Sequence, residues 1–197
     1  MEEKRILYYV KILAHTPEEL GSLANALAEK TKMDLKAYDE MAYRFWEKVR
    51  QALKNQGLNQ PEVCKKLHIY ADGLPVAEEP HFQRVVEALI KLEIPLYLLA
   101  KKLIERGAKI HGTESRELLQ EEHNMWHKVA QGVEPDPQRK ENLLKERDEF
   151  IANIINQTLP PKEIGILFIG AVHDVVVELN KLEEADQLTS PLKIIYL

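Results

Sequence analysis

Four titratable side chains, His15, Asp72, Glu114 and His173, follow apolar stretches of this sequence. Two imidazoles and two carboxylates suit two kinds of chemistry: nitrogen and oxygen ligation of a divalent metal, or an acid and base pair. Each position also has a structural use. Asp72 precedes Gly73 and can shape a turn; Asp174 can cap a short helix running to Leu182; His111, beside Ile110, reads as a packed or surface histidine. Glu114 and His173 are the pair most simply read as functional. Arg147 is an independent pointer, because it shares a helical stripe with Leu143, Leu144, Phe150, Ile151, Ile154 and Ile155 and so faces inward. A buried guanidinium needs a carboxylate or an anionic ligand, and losing that partner costs about 3 to 5 kcal/mol. Glu114 and Asp72 are the expected partners, a snorkelling surface arginine being the alternative. Asp148, next in sequence, is expected to turn away into solvent.

These residues need elements to carry them to one place. Strands are expected at residues 5–14, 67–71, 108–110, 164–172 and 192–197. Residues 165–172 are apolar on both faces, the pattern of a central strand covered on each side. Helices fill the intervals. Thr16, Pro17 and Glu19 form a capping box that starts one, and residues 35–55 repeat Tyr38, Ala42, Phe45, Val49 and Leu53 on one face. Pro95 divides residues 79–107 into two helices, with Gly107 as a left-handed C-cap. Two further helices are expected at residues 116–131 and 137–159. The expectation is one α/β domain over residues 1–197, three-layered, with a mostly parallel sheet of about five strands and helices on both faces. In such sheets ligands bind outside the carboxyl ends of the strands, where His15, Asp72, Glu114 and His173 all fall. The direction of the last strand is left open.

Composition narrows the function classes. Hydrophobic residues make up 45% and charged residues 30%, as in a compact globular protein. A net charge of -5 argues against a nucleic-acid or anionic-membrane partner. The apolar run behind the charged amino terminus is too short for a secretory signal, and no stretch reaches the roughly 20 apolar residues of a membrane helix, so a cytoplasmic protein is expected. The single cysteine, Cys64, excludes an intramolecular disulfide and reads as a buried thiol. His123 and His127 stand one helical turn apart, a spacing a zinc site can use, but without the glutamate of a zinc protease helix they read as an exposed polar face. No glycine-rich dinucleotide loop, phosphate-binding loop or serine-esterase elbow is present.

The helix segment Arg147-Asp148-Glu149-Phe150, followed by Gly165 to Gly170 and then Ala171-Val172-His173, resembles the TraB-like superfamily of erythromycin esterases, haem-uptake proteins and Tiki-type metalloproteases. In those proteins an arginine-bearing helix precedes a strand closing on Gly-x-x-His, which Arg147, Gly170 and His173 match here. The overlap covers roughly the last quarter to third of the chain. The first strand brings His15 without the glycine three places earlier, and Asp72 stands where a glutamate is expected. Asp72-Gly73-Leu74-Pro75 with His111-Gly112-Thr113-Glu114-Ser115 also looks like a bacterial and archaeal group of unassigned activity.

The resemblance implies a hydrolase, metal-assisted in one version. His15 and His173 would be ligands or bases, Glu114 a third ligand or base, and Arg147 the residue orienting an acid or an anionic intermediate, with Asp72 and Gly170 at the ligand. A divalent metal ion is the cofactor this implies, held by His15, Glu114 and His173, and a small molecule is the expected partner. The alternative is a binding or sensing protein using the same cleft without turnover.

Overall fold

The computed structural model describes residues 4–12 and 34–197. Its five strands are β1 (Arg5–Ile12), β2 (Leu67–Ala71), β3 (Lys109–His111), β4 (Ile164–Gly170) and β5 (Leu192–Tyr196). They form one sheet in the order β3-β2-β4-β1-β5, and every neighbouring pair is parallel, the last strand included. Among the described residues the helices are α1 (Leu35–Asn55), α2 (Pro61–Cys64), α3 (His81–Lys91), α4 (Pro95–Ile104), α5 (Arg116–Ala130), α6 (Pro137–Thr158) and α7 (Val175–Glu184). The α/β class and the helices on both faces are as expected. His15 and the helix expected from Pro17 lie outside the described residues.

The central strand shows why the layers form. β4 is bonded to β1 on one edge and β2 on the other, and all of its residues after Ile164 are buried. Side chains alternate across a strand, so Ile166 and Phe168 join Trp46, Leu53, Tyr97 and Leu103 on one face. Leu167 and Ile169 join Ile151, Ile155, Val175 and Leu179 on the other. Each such side chain, fully buried, is worth about 1.5 to 3 kcal/mol of hydrophobic stabilisation. The first face is covered by α1, α3 and α4, and the second by α6 and α7.

The winding follows from the strand order. From β1 the chain steps past β4 to β2 and on to β3, with α1 to α4 on one face; it then returns to β4 and finally to β5, with α6 and α7 on the other. Crossovers of one hand require this change of face when the direction reverses. Consequently the chain leaves β4 toward one layer and leaves β2 toward the other. A crevice therefore opens beyond the carboxyl end of β4.

Several boundaries differ from expectation. β4 ends at Gly170, so Ala171 and Val172 belong to the turn, and β3 extends to His111 rather than stopping before it. α2 is a single turn with Pro61 at its start, between α1 and β2. Arg5 is fully buried. Its guanidinium donates to the Ser190 carbonyl at 2.6 Å and to Asn156 Oδ1 at 3.1 Å, tying the end of α6 to the approach to β5.

Candidate functional site

The loops after β2 and β3 are built as a pair. Thr113 and Glu114 both donate backbone N–H bonds to the Leu74 carbonyl, at 2.8 and 3.1 Å, and Val76 N–H donates to the Glu114 carbonyl at 2.9 Å. The Thr113 hydroxyl closes on the Ala71 carbonyl. Gly112 is needed where the loops cross, since a Cβ there would collide with the Pro75 carbonyl and lie 2.7 Å from Val76 Cα. Gly73 turns the chain with a φ of 72°, a left-handed conformation that favours glycine. Ser115 then caps α5 by accepting from the Leu118 N–H. Asp72 and Glu114 are thereby fixed side by side over the sheet edge.

Arg147 reaches this pair from α6. Its Nε donates to Glu114 Oε2 at 3.1 Å and its Nη2 to Glu114 Oε1 at 2.6 Å, a bidentate pairing. Nη2 also donates to Asp72 Oδ1 at 2.9 Å, and Nη1 lies 2.7 Å from Glu122 Oε1 on α5. The inward arginine and both expected partners are present, with Glu122 a third that the sequence reading missed. Burial pushes the Glu114 carboxyl above its usual range despite the bond to Arg147. Asp72 is also pushed up by burial, but the charges of His173 and Arg147 and the Gly170 N–H bond hold it below its ordinary value.

His173 follows β4 in a turn closed by its own N–H bond to the Gly170 carbonyl. Its Nδ1–H donates to Asp148 Oδ1 at 2.6 Å, and the other Asp148 oxygen accepts from the Asp174 N–H at 2.9 Å. The Tyr9 hydroxyl donates to the His173 carbonyl at 3.5 Å. This corrects the expectation for Asp148, which is only 5% exposed. It follows Arg147 by one residue, about 100° around the helix, and α6 is wide enough in its buried face to take both. Asp174 is at the cap position of α7, yet its side chain makes no capping bond. The Gly170 N–H donates to Asp72 Oδ2 at 2.9 Å, and a Cβ on Gly170 would meet that same oxygen at 2.9 Å.

With Nδ1 held by Asp148, the free side of the imidazole is Nε2. It points into the cleft, with Asp72 Oδ1 at 3.8 Å and no hydrogen-bond partner among the described residues. Burial alone would depress this imidazole; the bond to Asp148 and the charge of Asp72 outweigh that and place it above its ordinary value. Asp72, Glu114 and His173 each offer a ligand atom within 4.8 Å of the others. One imidazole and two carboxylates are a donor set suited to zinc or manganese.

The cleft holds about 450 Å³, within the range of small-molecule sites. The polar Asp72, Glu122, Arg147 and His173 and the apolar Ile12, Leu89, Ile94, Leu96 and Tyr97 are among the residues that line it. A larger groove of about 630 Å³ runs along α1 to Leu197, but only exposed charged groups and apolar side chains border it. His111 is packed, as expected, against Tyr70 and His68 at ring-centroid distances of 5.1 and 4.9 Å, away from this cleft. His123 and His127 are exposed, and the Cys64 thiol is buried.

The chain was compared with protein-family models, with curated proteins and with solved structures, and none matches it. No described helix is long and apolar enough to cross a membrane. Fold and site therefore set the class by themselves: a parallel α/β sheet with a buried arginine–carboxylate cluster and a histidine–aspartate pair at its carboxyl edge.

Proposed function

We propose that the cleft is a hydrolytic active site in which His173 is the general base. The observation that carries this reading is the buried Asp148–His173 pair, with Nδ1 tied back and Nε2 turned to the cleft. In hydrolysis of an acyl substrate, Nε2 takes a proton from water as the water oxygen bonds to the carbonyl carbon. Asp148 holds the productive tautomer and stabilises the imidazolium that forms. The proton passes to the leaving group as the acyl bond breaks, which restores neutral His173. Arg147 is a positioning residue, binding Asp72 and Glu114 so that both carboxylates stay ordered beside the base. The Gly170-x-x-His173 resemblance supports the same assignment.

Asp72, Glu114 and His173 would also hold a divalent ion, which when bound supplies an acidified water. His173 Nε2 cannot be ligand and base together, so the two versions separate under chelation. Binding without turnover is the second reading; it is favoured by the engagement of Asp72 and Glu114 with Arg147, which leaves His173 as the one free base in the cluster among the described residues.

The test is hydrolysis of a panel of p-nitrophenyl esters and p-nitroanilides, with and without a chelator. Saturable turnover that falls roughly 100-fold or more in His173→Gln is expected, and a chelator-insensitive rate assigns His173 as base rather than ligand. Turnover equal in wild type and His173→Gln, or none on any member, would overturn the hydrolase assignment.

A further inference from the structure

The charges around the cleft do not balance. Asp72, Glu114, Glu122 and Asp148 face Arg147 and His173 as the basic groups among the described residues of the cluster. Even with His173 charged and Glu114 neutral, three carboxylates oppose two cations. Arg147, which would be the natural receptor for a carboxylate or phosphate, directs its Nε, Nη1 and Nη2 at acids of the chain itself. Its fork is thus already occupied. The backbone donors nearest the acids are also taken, since Gly170 N–H bonds to Asp72 and Gly73 N–H approaches Glu114 Oε1 at 3.4 Å.

The acids divide by accessibility. Glu114 is fully buried, whereas the side chains of Asp72 and Glu122 are 18% and 30% exposed and line the cleft. His173, 2% exposed, lines the same cleft, and its Nε2, 3.8 Å from Asp72 Oδ1, has no hydrogen-bond partner among the described residues. Leu89, Ile94, Leu96 and Tyr97 line the same 450 Å³ space and offer nonpolar surface within it. A ligand that fills this cleft brings a positive or strongly donating group to Asp72 and Glu122 and lays an apolar segment on that surface. An anion would meet carboxylates with their counter-ion already used.

We infer that the cleft selects small molecules carrying a cationic nitrogen beside an apolar segment and rejects carboxylates and phosphates of similar size. The inference rests on reading this cleft as the working site, and it names the substrate class for it. Specificity of this kind comes as much from repulsion of the wrong charge as from attraction of the right one.

The probes are hexylammonium, hexanol and hexanoate, matched in length and differing in head group, titrated into the full chain by calorimetry at pH near 7.5, where an alkylamine is protonated (about 10.4 for the lysine amine). Hexylammonium should bind at least roughly tenfold more tightly than hexanoate, with hexanol between them. Asp72→Asn should shrink that preference severalfold. Glu122→Gln, at a more exposed position, should do the same and keeps the test intact if the Asp72 variant does not fold. Hexanoate binding as tightly as hexylammonium, no saturable hexylammonium binding, or a preference unchanged in both variants would overturn the inference. Because binding is read without turnover, charge selection can fail while ester hydrolysis succeeds, and the reverse.

Discussion

Two histidine–carboxylate pairs sit at different places on this sheet, and they differ in charge logic. Toward the amino edge, His68 of β2 meets Glu163 through Nε2, while its Nδ1 lies 2.7 Å from His111 Nε2. At the carboxyl edge, His173 meets Asp148 through Nδ1 and Asp72 stands near its other nitrogen. Burial depresses His68, and the one carboxylate, Glu163, does not overcome it; His111 is carried down to about 4 by burial and its neighbour His68. For His173 the order is reversed, because two carboxylates act on one ring against the same kind of burial. With a single hydrogen-bonded acid the histidine stays depressed, and with a second acid it is raised above its ordinary value. In the second arrangement Nε2 is left without a hydrogen-bond partner among the described residues, on a ring that lines a cleft.

The largest break in this comparison comes from removing the cation that lets acids crowd the carboxyl edge. In Arg147→Met most of the packing is kept, but Glu114, fully buried, loses its bidentate partner. Urea midpoints at neutral pH should correspond to a loss of about 3 to 5 kcal/mol. Glu114 already stands above its usual range, so in mild acid it takes up a proton and the loss shrinks. Equal losses at both pH values would mean that the guanidinium is held by solvent rather than by these acids.

The next effect tests the hydrogen-bonded acid of the His173 pair directly. Asp148→Asn keeps an acceptor for Nδ1–H but removes the charge, so the His173 titration followed by NMR should move down. A group raised in the folded state contributes stability that is complete below its unfolded value of 6.5 and is lost as pH rises through the folded value. The variant should therefore lose about 1 to 3 kcal/mol near pH 6 and less near pH 8. Ester turnover should fall with it. A His173 titration that does not move would remove Asp148 as the cause.

Much of this was legible in the residues. The apolar run of β4, the stripe that turns Arg147 inward, and the strand ends that bear Asp72, Glu114 and His173 are all local patterns, and the sheet converts them into neighbours. Asp148 was not legible, because a helix buried on a broad face takes two adjacent polar residues only when a loop supplies a partner for each, and the turn at His173 is specified by tertiary packing. Glu122 was missed for the same reason: its partner comes from α6, and nothing around it in α5 marks it. His68 sits inside an apolar strand with no periodic signal for a partner as distant as Glu163. His15 lies outside the described residues, so its place at this edge is an expectation from the strand order alone.

The smallest effect should come from the acid of the amino-edge pair. The arrangement is satisfied with both rings neutral: His68 Nε2–H donates to Glu163, and His68 Nδ1 accepts from His111 Nε2–H. Glu163→Gln keeps an acceptor in that position, and the Glu163 side chain is 25% exposed, so water relieves part of any lost charge. The change at neutral pH should stay below about 1 kcal/mol. The sign of the pH dependence separates this pair from His173. His68 and His111 are depressed below 6.5, so the folded protein binds fewer protons than the unfolded chain between that value and the folded value, about 4 for His111. Stability from the pair is present above 6.5 and is lost as pH falls through that window. Glu163→Gln removes an influence that raises His68, so the variant should lose stability more steeply on acidification than the wild type. Urea midpoints between pH 7 and pH 5 would show it, and a variant that is less pH-sensitive than wild type would mean that His68 is raised, as His173 is, and that the contrast between the two edges is wrong.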